Sequence, residues 1–568
     1  MKIIFYNDFE KEKGGVSMKR FVLTAVTVSV ISLIAACSAT TNTTNDHKNM
    51  NDKKTTQTET AIKPLKVEKG PEVTLIAKEE KQKLSNGVIV PVWTFNGSSP
   101  GPEIRVKKGE KVKVTLKNEL SAPVSIHWHG YPVPNNMDGI PGVTQDAVES
   151  GKSFTYEFEA NVPGTYWYHS HQDSVNQLDR GLYGALIVED TKEKYDKDYT
   201  LMLDEWVTDK EEINKQLKEM TKGKTEKADG NKSSKDNENT KKNDDRNDMD
   251  HSGMDMRSDK KDSSNMAGMD HGNMKMEGHD MSMYDLFTIN GKSGDLVEPL
   301  KVNKGDKVRL RLVNAGYLSH DIHVHGHDIK VIATDGQPIN DPKVIKDKVI
   351  SIAPGERYDI EFTANNPGKW YVEDHSANKG AKGMKAVIEY DGSKEMKDKA
   401  DEKEKLPKLD MTKYGAKKLG SFTLDQQYTA TYNMDLNTQM NGNEMVYTIN
   451  GKVFPDIDPI PVKRGDLVKV KLVNRSKMDD HPMHLHGHFF QVLSKDGKPI
   501  EGSPIVKDTL NLKPGEEYEV AFVADNPGDW MFHCHDLHHA SAGMVTEVKY
   551  TDYKSDYVPD PNIPNKPE

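Results

Sequence analysis

Between Trp530 and Met544 the chain reads W-M-F-H-C-H-D-L-H-H-A-S-A-G-M, which sets Cys534 between His533 and His535, adds His539 and closes on Met544. On a β-strand successive side chains point to opposite faces, so His533 and His535 project one way and Cys534 the other. A thiolate with two imidazoles and a weak axial thioether is the ligand set of a blue copper electron-transfer centre, whereas tetrahedral zinc sites seldom use a thioether. One strand can therefore serve two metal sites joined by a short covalent path. A satisfied core Cys among chance histidines is the plainer alternative, but histidine occurs only 21 times in 568 residues, which makes such crowding a poor accident.

Three further motifs carry histidines: His127-Trp128-His129-Gly130, His169-Ser170-His171, and His481-Pro482-Met483-His484-Leu485-His486-Gly487-His488. A pair at i and i+2 places both imidazoles on one sheet face, so four such pairs can converge where two β-sandwiches meet. His481 is an odd number of positions from His484 and can face the other way, toward Cys534.

The elements that must position these residues are strands. From Glu72 onward, short β-branched runs are broken by Gly, Pro and Asn, the texture of β-sandwiches. A repeat is visible three times: Pro102 to Gly109 leads to Val112-Lys113-Val114-Thr115-Leu116, Pro299 to Gly305 leads to Val308 to Leu312, and Pro461 to Gly465 leads to Val468 to Leu472. Each copy reads as a strand, a glycine turn and an alternating strand. A second signature closes each copy: Asn161-Val162-Pro163-Gly164-Thr165-Tyr166-Trp167, Asn366-Pro367-Gly368-Lys369-Trp370 and Asn526-Pro527-Gly528-Asp529-Trp530. Three copies of one sandwich make the expected fold, all-β. The middle copy keeps His320-Asp321-Ile322-His323-Val324-His325-Gly326-His327 but has Asp374 or a neighbour where Cys534 would fall. Without a thiolate it cannot be a blue copper domain, and it reads as a spacer shaping the first-to-third interface, with an extra metal on its histidines as the alternative.

Outside the repeats the chain is polar. The net charge of -11 argues against nucleic acid as a partner. Cys37, the other cysteine, follows Lys19, Arg20 and an apolar run from Phe21 to Ala36, a pattern that looks like a bacterial lipoprotein signal with Cys37 as the lipidation site. Translation is expected to start at Met18, and the product to be exported: a cell-surface lipoprotein on the outer face of the membrane, or a periplasmic or extracellular protein. Residues 37–70 read as a disordered tether. A polar insert, 209–283, carries Met249, His251, Met254, Met256, Met266, Met269, His271, Met274, Met276, His279, Met281 and Met283. Thioethers select Cu(I), so this disordered Met/His-rich segment reads as a copper-collecting loop. The 393–417 linker and the 551–568 tail suggest no chemistry.

The four histidine motifs together resemble those of the three-domain multicopper oxidases, the family of laccases, ascorbate oxidase, bilirubin oxidase and bacterial cuprous oxidases, from about Glu72 to Tyr550. The resemblance implies three cupredoxin-like Greek-key sandwiches, at 71–195, 196–392 and 418–550, in a monomer with four coppers. Type 1 copper would take His481, Cys534, His539 and Met544, and type 2 copper His127 and His484. One type 3 copper would take His129, His169 and His535, the other His171, His486 and His533.

It also implies the chemistry. A reductant delivers single electrons to the type 1 site, Cys534 with His533 or His535 passes them on, and O2 is reduced to water by four electrons. Asp138 matches the family's proton-relay carboxylate, with an ordinary turn Asp as the alternative. The insert and Met478-Asp479-Asp480, directly before His481, favour Cu(I) as reductant and a role in copper detoxification, although cuprous oxidases usually carry their Met-rich segment in the third domain. Laccase-like oxidation of phenols, or of Fe(II) or Mn(II), is the runner-up. A non-catalytic copper store would need the insert but has no use for Cys534 between two histidines.

Overall fold

The computed structural model describes residues 64–211, 213–214, 281–397, 405–442 and 444–567. Cys37, the tether up to residue 63 and nearly all of the Met/His-rich insert lie outside the described residues; the end of the expected tether is instead ordered, Val67–Lys69 forming a strand that pairs in parallel with Glu103–Lys107. No helix among the described residues is long and apolar enough to cross a membrane.

Alternation in the sequence becomes alternation in burial. Along Lys111–Asn118, Val112, Val114 and Leu116 are buried while Lys111, Lys113 and Lys117 face solvent. Each such side chain removed from water stabilises the fold by roughly 1.5–3 kcal/mol, so a one-residue slip of this strand is strongly disfavoured.

The described strands form six sheets, two for each repeat, and the three copies share their local topology. The opening strand of each copy runs parallel to its alternating strand, with Glu72 beside Lys113, Lys197 beside Val308, and Ala430 beside Val468. The short strand ahead of the turn runs parallel to the last strand, with Ile104 beside Leu186, Leu300 beside Ile388, and Ile460 beside Val548. At the intervening turns Gly109, Gly305 and Gly465 have φ of +87°, +99° and +88°, and a Cβ at any of them would meet nothing within 4 Å. Backbone conformation, not crowding, selects glycine there. The all-β, three-sandwich expectation holds.

Two features bind the sandwiches into one frame around the histidines. One core runs from the first sandwich into the second, joining Trp167 and Tyr183 to Leu310 and Ile360 and reaching Leu537 of the third. Between the first and third sandwiches, Asn135 Nδ2 donates to the Asp529 carbonyl at 2.8 Å and Asn526 Nδ2 to the Val133 carbonyl at 3.0 Å. The core of the third sandwich contains Cys534 and Met544.

The insert is anchored at its margins. Ile213 is buried with Leu84, Val90, Val92 and Trp206, and Met281, grouped by sequence with the solvated methionines, instead packs on the shared core.

Candidate metal centre

Cys534 ends the strand Asp529–Cys534 and is fully buried. Its Sγ lies 3.5 Å from Nδ1 of His539 and 3.9 Å from Nδ1 of His481, and those two nitrogens are 3.2 Å apart. His481 opens the neighbouring strand, His481–Leu485, whose Met483 sits opposite Cys534 in the ladder. His539 rides on the short helix Leu537–Ser541, which Asp536 caps by accepting from the His538 amide. Nε2 of His481 donates to Ser476 Oγ at 2.6 Å, and that hydroxyl donates to Asn474 Oδ1 at 2.6 Å. This chain holds His481 in the tautomer whose bare Nδ1 faces the thiol. Burial, aided by His539, pushes the His481 imidazole down to about 3, so it is neutral at ordinary pH. Met544 is buried beside this trio, its amide donating to the His539 carbonyl at 3.0 Å and its carbonyl accepting from the Cys534 amide at 3.1 Å. The Tyr447 ring stacks on His539 with centroids 3.9 Å apart.

On the other face of the same strand, His533 and His535 join six more histidines. His127, His129, His169 and His171 come from the first sandwich and His484 and His486 from the third, all buried. Donor atoms of His171, His486 and His533 lie within 4.8 Å of one another, as do those of His127, His484 and His486 and those of His127, His129 and His169. The His535 ring is 4.6 Å from that of His129 and 5.4 Å from that of His169, and the rings of His127 and His484 are 5.8 Å apart. The structure thus brings together all eight imidazoles singled out in the sequence, and puts His481, Cys534, His539 and Met544 on the opposite face.

The ring nitrogens are oriented by oxygen acceptors. Nδ1 of His127, His169, His171, His484 and His533 donates to the main-chain carbonyls of Asp138, Ser170, Pro567, Asp508 and Cys534 at 2.6–3.0 Å. The opposite nitrogens of His127, His169 and His484 are buried with no hydrogen-bond partner. A cluster of imidazoles that point bare nitrogens at one another is costly unless a cation sits among them. Burial first, then mutual repulsion, pushes His129, His169, His486, His533 and His535 well below the usual histidine range and His171 down to about 3. Neutral imidazoles with the second ring nitrogen tied to oxygen are what a metal requires. The thiolate-containing trio and the eight-imidazole cluster both fit copper.

Asp138 is buried where two of these rings meet. Its Oδ2 accepts from Nδ1 of His486 at 2.9 Å, and its Oδ1 lies 3.1 Å from Nδ1 of His127. Several supporting residues were missed in the sequence. Asp508 lies 3.3 Å from Nε2 of His129 and 3.4 Å from Nδ1 of His484, and Thr509 Oγ1 is 3.0 Å from His129 Nε2. Asp508 in turn takes a forked pair of bonds from Arg357 of the second sandwich, at 2.7 and 2.5 Å. Gly355, at φ +81°, approaches so closely that a Cβ would stand 2.9 Å from His535 and 3.1 Å from His129. The spacer therefore touches the cluster directly. The tail contributes as well, through the Pro567 carbonyl on His171.

Met478 is 84% exposed on the loop before His481. Asp479 accepts from Thr438 Oγ1 at 2.7 Å and Asp480 from Asn511 Nδ2 at 2.9 Å, so both carboxylates have protein partners.

Multicopper oxidase family models match residues 77–193, 260–393 and 423–554. The chain is 30% identical over 469 residues to the multicopper oxidase MmcO of Mycobacterium tuberculosis, covering 82% of this chain and 84% of that protein. It is 25% identical to copper resistance protein A of Escherichia coli, over 80% of this chain and 89% of that one. Among solved structures, the multi-copper oxidase of Pseudomonas thermotolerans superposes with a TM-score of 0.58 at 25% identity, covering 85% of this chain and all of that one.

Proposed function

The chain belongs to the multicopper oxidase family, and we propose that its electron donor is Cu(I), oxidised at the surface above His539 for copper detoxification outside the cell. As a copper-dependent oxidoreductase it uses O2 as acceptor. Bound copper supplies one-electron redox chemistry beside Cys534 and O2 reduction among the eight histidines.

The protein's part is to hold and connect. In this reading His481, Cys534, His539 and Met544 hold the type 1 ion, His127 and His484 the type 2 ion, and His129, His169 and His535 with His171, His486 and His533 the type 3 pair. Cys534 is bonded through the main chain to His533 and His535, and His533 Nδ1 also donates to the Cys534 carbonyl at 3.0 Å, so bonded and hydrogen-bonded routes both leave the thiolate. Asp138 holds the Nδ1 proton of His486 through its carboxylate and that of His127 through its main-chain carbonyl, and in this reading its carboxylate passes protons at that edge. The water-excluded cluster holds its imidazoles oriented, with their ring nitrogens turned inward, without further rearrangement.

One observation carries the choice of donor. Tyr447, stacked on His539, donates its hydroxyl to the Met445 thioether at 3.1 Å; Met445 pairs across the ladder with Met440, which is 58% exposed. Thr438 of the same strand ties down Asp479 beside exposed Met478. The paired thioethers of Met440 and Met445 thus connect through Tyr447 to His539, and Met478 adds an exposed third on the loop before His481, soft donors suited to a Cu(I) ion. The Met/His-rich insert adds soft donors in sequence, and the E. coli relative's name refers to copper resistance. Export and lipidation at Cys37 rest on the leader pattern alone.

A second reading has its own observation. An apolar recess of about 340 Å³ lined by Val143, Phe454, Met531, Ala540 and Val545 lies against the helix that bears His539, and an aromatic donor would fit it. Steady-state O2 uptake with Cu(I), Fe(II) and a phenol, repeated on Met445→Ala, Met478→Ala and a chain lacking residues 250–283, separates the two. Cu(I) turnover no better than the rest, unmoved by every change, sinks the cuprous reading.

A further inference from the structure

The second sandwich repeats the ladder geometry of the third one residue for one. There Met483 pairs with Cys534 and His484 with His533; here Ile322 pairs with Asp374 and His323 with Glu373. His323, His325, Glu373 and His375 therefore occupy the places of His484, His486, His533 and His535. In the third sandwich those four side chains face the first sandwich and are sealed. In the second they stay within reach of solvent, the side chains of His325 and Glu373 being 18% and 20% exposed.

Their donor atoms are already gathered. Nε2 of His325 and Nε2 of His375 are 3.0 Å apart, and Oε1 of Glu373 lies 3.2 Å from the first and 3.6 Å from the second. Four ligands at about 2.0–2.1 Å from a tetrahedral ion are about 3.3–3.4 Å from one another, which is the middle of that range. The third ring, His323, has its centroid 4.5 Å from that of His325 and 5.3 Å from that of His375. Its Nδ1 donates to the Lys348 carbonyl at 3.0 Å, which leaves Nε2 as the bare nitrogen. His375 Nδ1 is buried without a partner, a second sign that this ring is not held by the protein alone.

We propose that His323, His325, Glu373 and His375 form a metal site separate from the oxidase centre, binding a divalent first-row transition ion through imidazole and carboxylate. Three imidazoles with one carboxylate suit Zn(II) or Cu(II) and, lacking thiolate and thioether, do not suit Cu(I). The ion would clamp the strands His320–Val324 and Lys369–Asp374 at their ends, and it takes no part in electron transfer. The site stands independently of the donor proposed above.

The test uses copper-loaded full-length protein dialysed against Zn(II), with zinc and copper counted by atomic emission. His375→Ala and Glu373→Gln are each expected to hold about one zinc equivalent fewer than the unaltered chain, with copper content, absorbance near 600 nm and O2 uptake unchanged. Equal zinc in the unaltered and altered proteins overturns the site. Crystals of the unaltered chain soaked in Zn(II) give a reading that does not depend on how the variants fold: an anomalous peak at the zinc edge among these four side chains supports the site. A hydrogen-bonded trio with no such peak overturns it.

Discussion

The main-chain carbonyl of Pro567 accepts a hydrogen bond from Nδ1 of His171 at 2.6 Å, across 396 positions of sequence. The tail reaches that point along the first sandwich: Asp146 accepts from Tyr557 Oη and from Asn565 Nδ2, each at 2.7 Å, and Gln172 Nε2 donates to the Pro564 carbonyl at 2.9 Å. Removing residues 557–568 takes away the Pro567 carbonyl to which His171 Nδ1 donates. Losses of this kind typically cost 10–100-fold in metal affinity or activity. The expected result is O2 uptake reduced about ten-fold or more with the absorbance near 600 nm retained, since Cys534 lies on the opposite face of its strand; loss of both together would mean that the tail holds the fold and not the ring.

Asp138 joins two rings that the family resemblance assigns to different ions, His486 at 2.9 Å and His127 at 3.1 Å. Asp138→Asn keeps the shape and removes the charge that holds the His486 Nδ1 proton and lies beside that of His127. Turnover should fall about 10–100-fold while copper content changes little, and the pH profile of O2 uptake should change shape. An unchanged pH profile would leave Asp138 as a structural clamp with no part in proton movement.

Arg357 and Asp508 form a fully buried pair between the second and third sandwiches. Burial alone would raise the Asp508 carboxyl, but the Arg357 charge overrides it and holds Asp508 well below the usual carboxylate range. A carboxylate lowered in the folded state contributes stability above its ordinary range, and that contribution is lost as pH falls toward the depressed folded value. Arg357→Met strands a buried charge and should cost about 3–5 kcal/mol at neutral pH. Without Arg357, burial raises the Asp508 carboxyl, so in the variant acid neutralises it within the folded chain while the unaltered pair stays charged; urea unfolding measured from pH 7 down to pH 4 should therefore show the gap to the unaltered protein narrowing, and a constant gap would mean that packing, not charge, is what Arg357 provides.

These cases mark how far the sequence could be read. Histidines at i and i+2, with Cys534 one position out of phase, declare which face each side chain takes before any packing is known, because strand geometry has period two. The repeat then tells which strands are equivalent, so the three sandwiches were legible too. Arg357, Asp508 and Pro567 carry no such mark. Arg357 follows Pro354-Gly355-Glu356 where the third copy has Glu517 after Pro514-Gly515-Glu516, and one exchanged charge says nothing until its partner, 151 positions away, is in view. A carbonyl of a polar tail is silent in sequence altogether, since every residue has one.

His320 shows what the second sandwich does with the place that its relative gives to a thiolate site. It matches His481 by repeat, and the ladder puts Asp374 where Cys534 would be. The ring lies between two carboxylates, with Nε2 2.6 Å from Glu205 and Nδ1 3.1 Å from Asp374. Burial alone would lower it, but Glu205 and then Asp374 push it up to about 10, so a buried imidazolium takes the place of a metal cation. A histidine raised on folding contributes fully below its unfolded value near 6.5, and the contribution drains away as pH rises toward 10. His320→Gln should therefore destabilise the chain by about 3–5 kcal/mol near pH 6 and by clearly less at pH 9, read as the difference in urea midpoints. If the variant loses as much at pH 9 as at pH 6, the ring is neutral and the second sandwich is held there by hydrogen bonds instead.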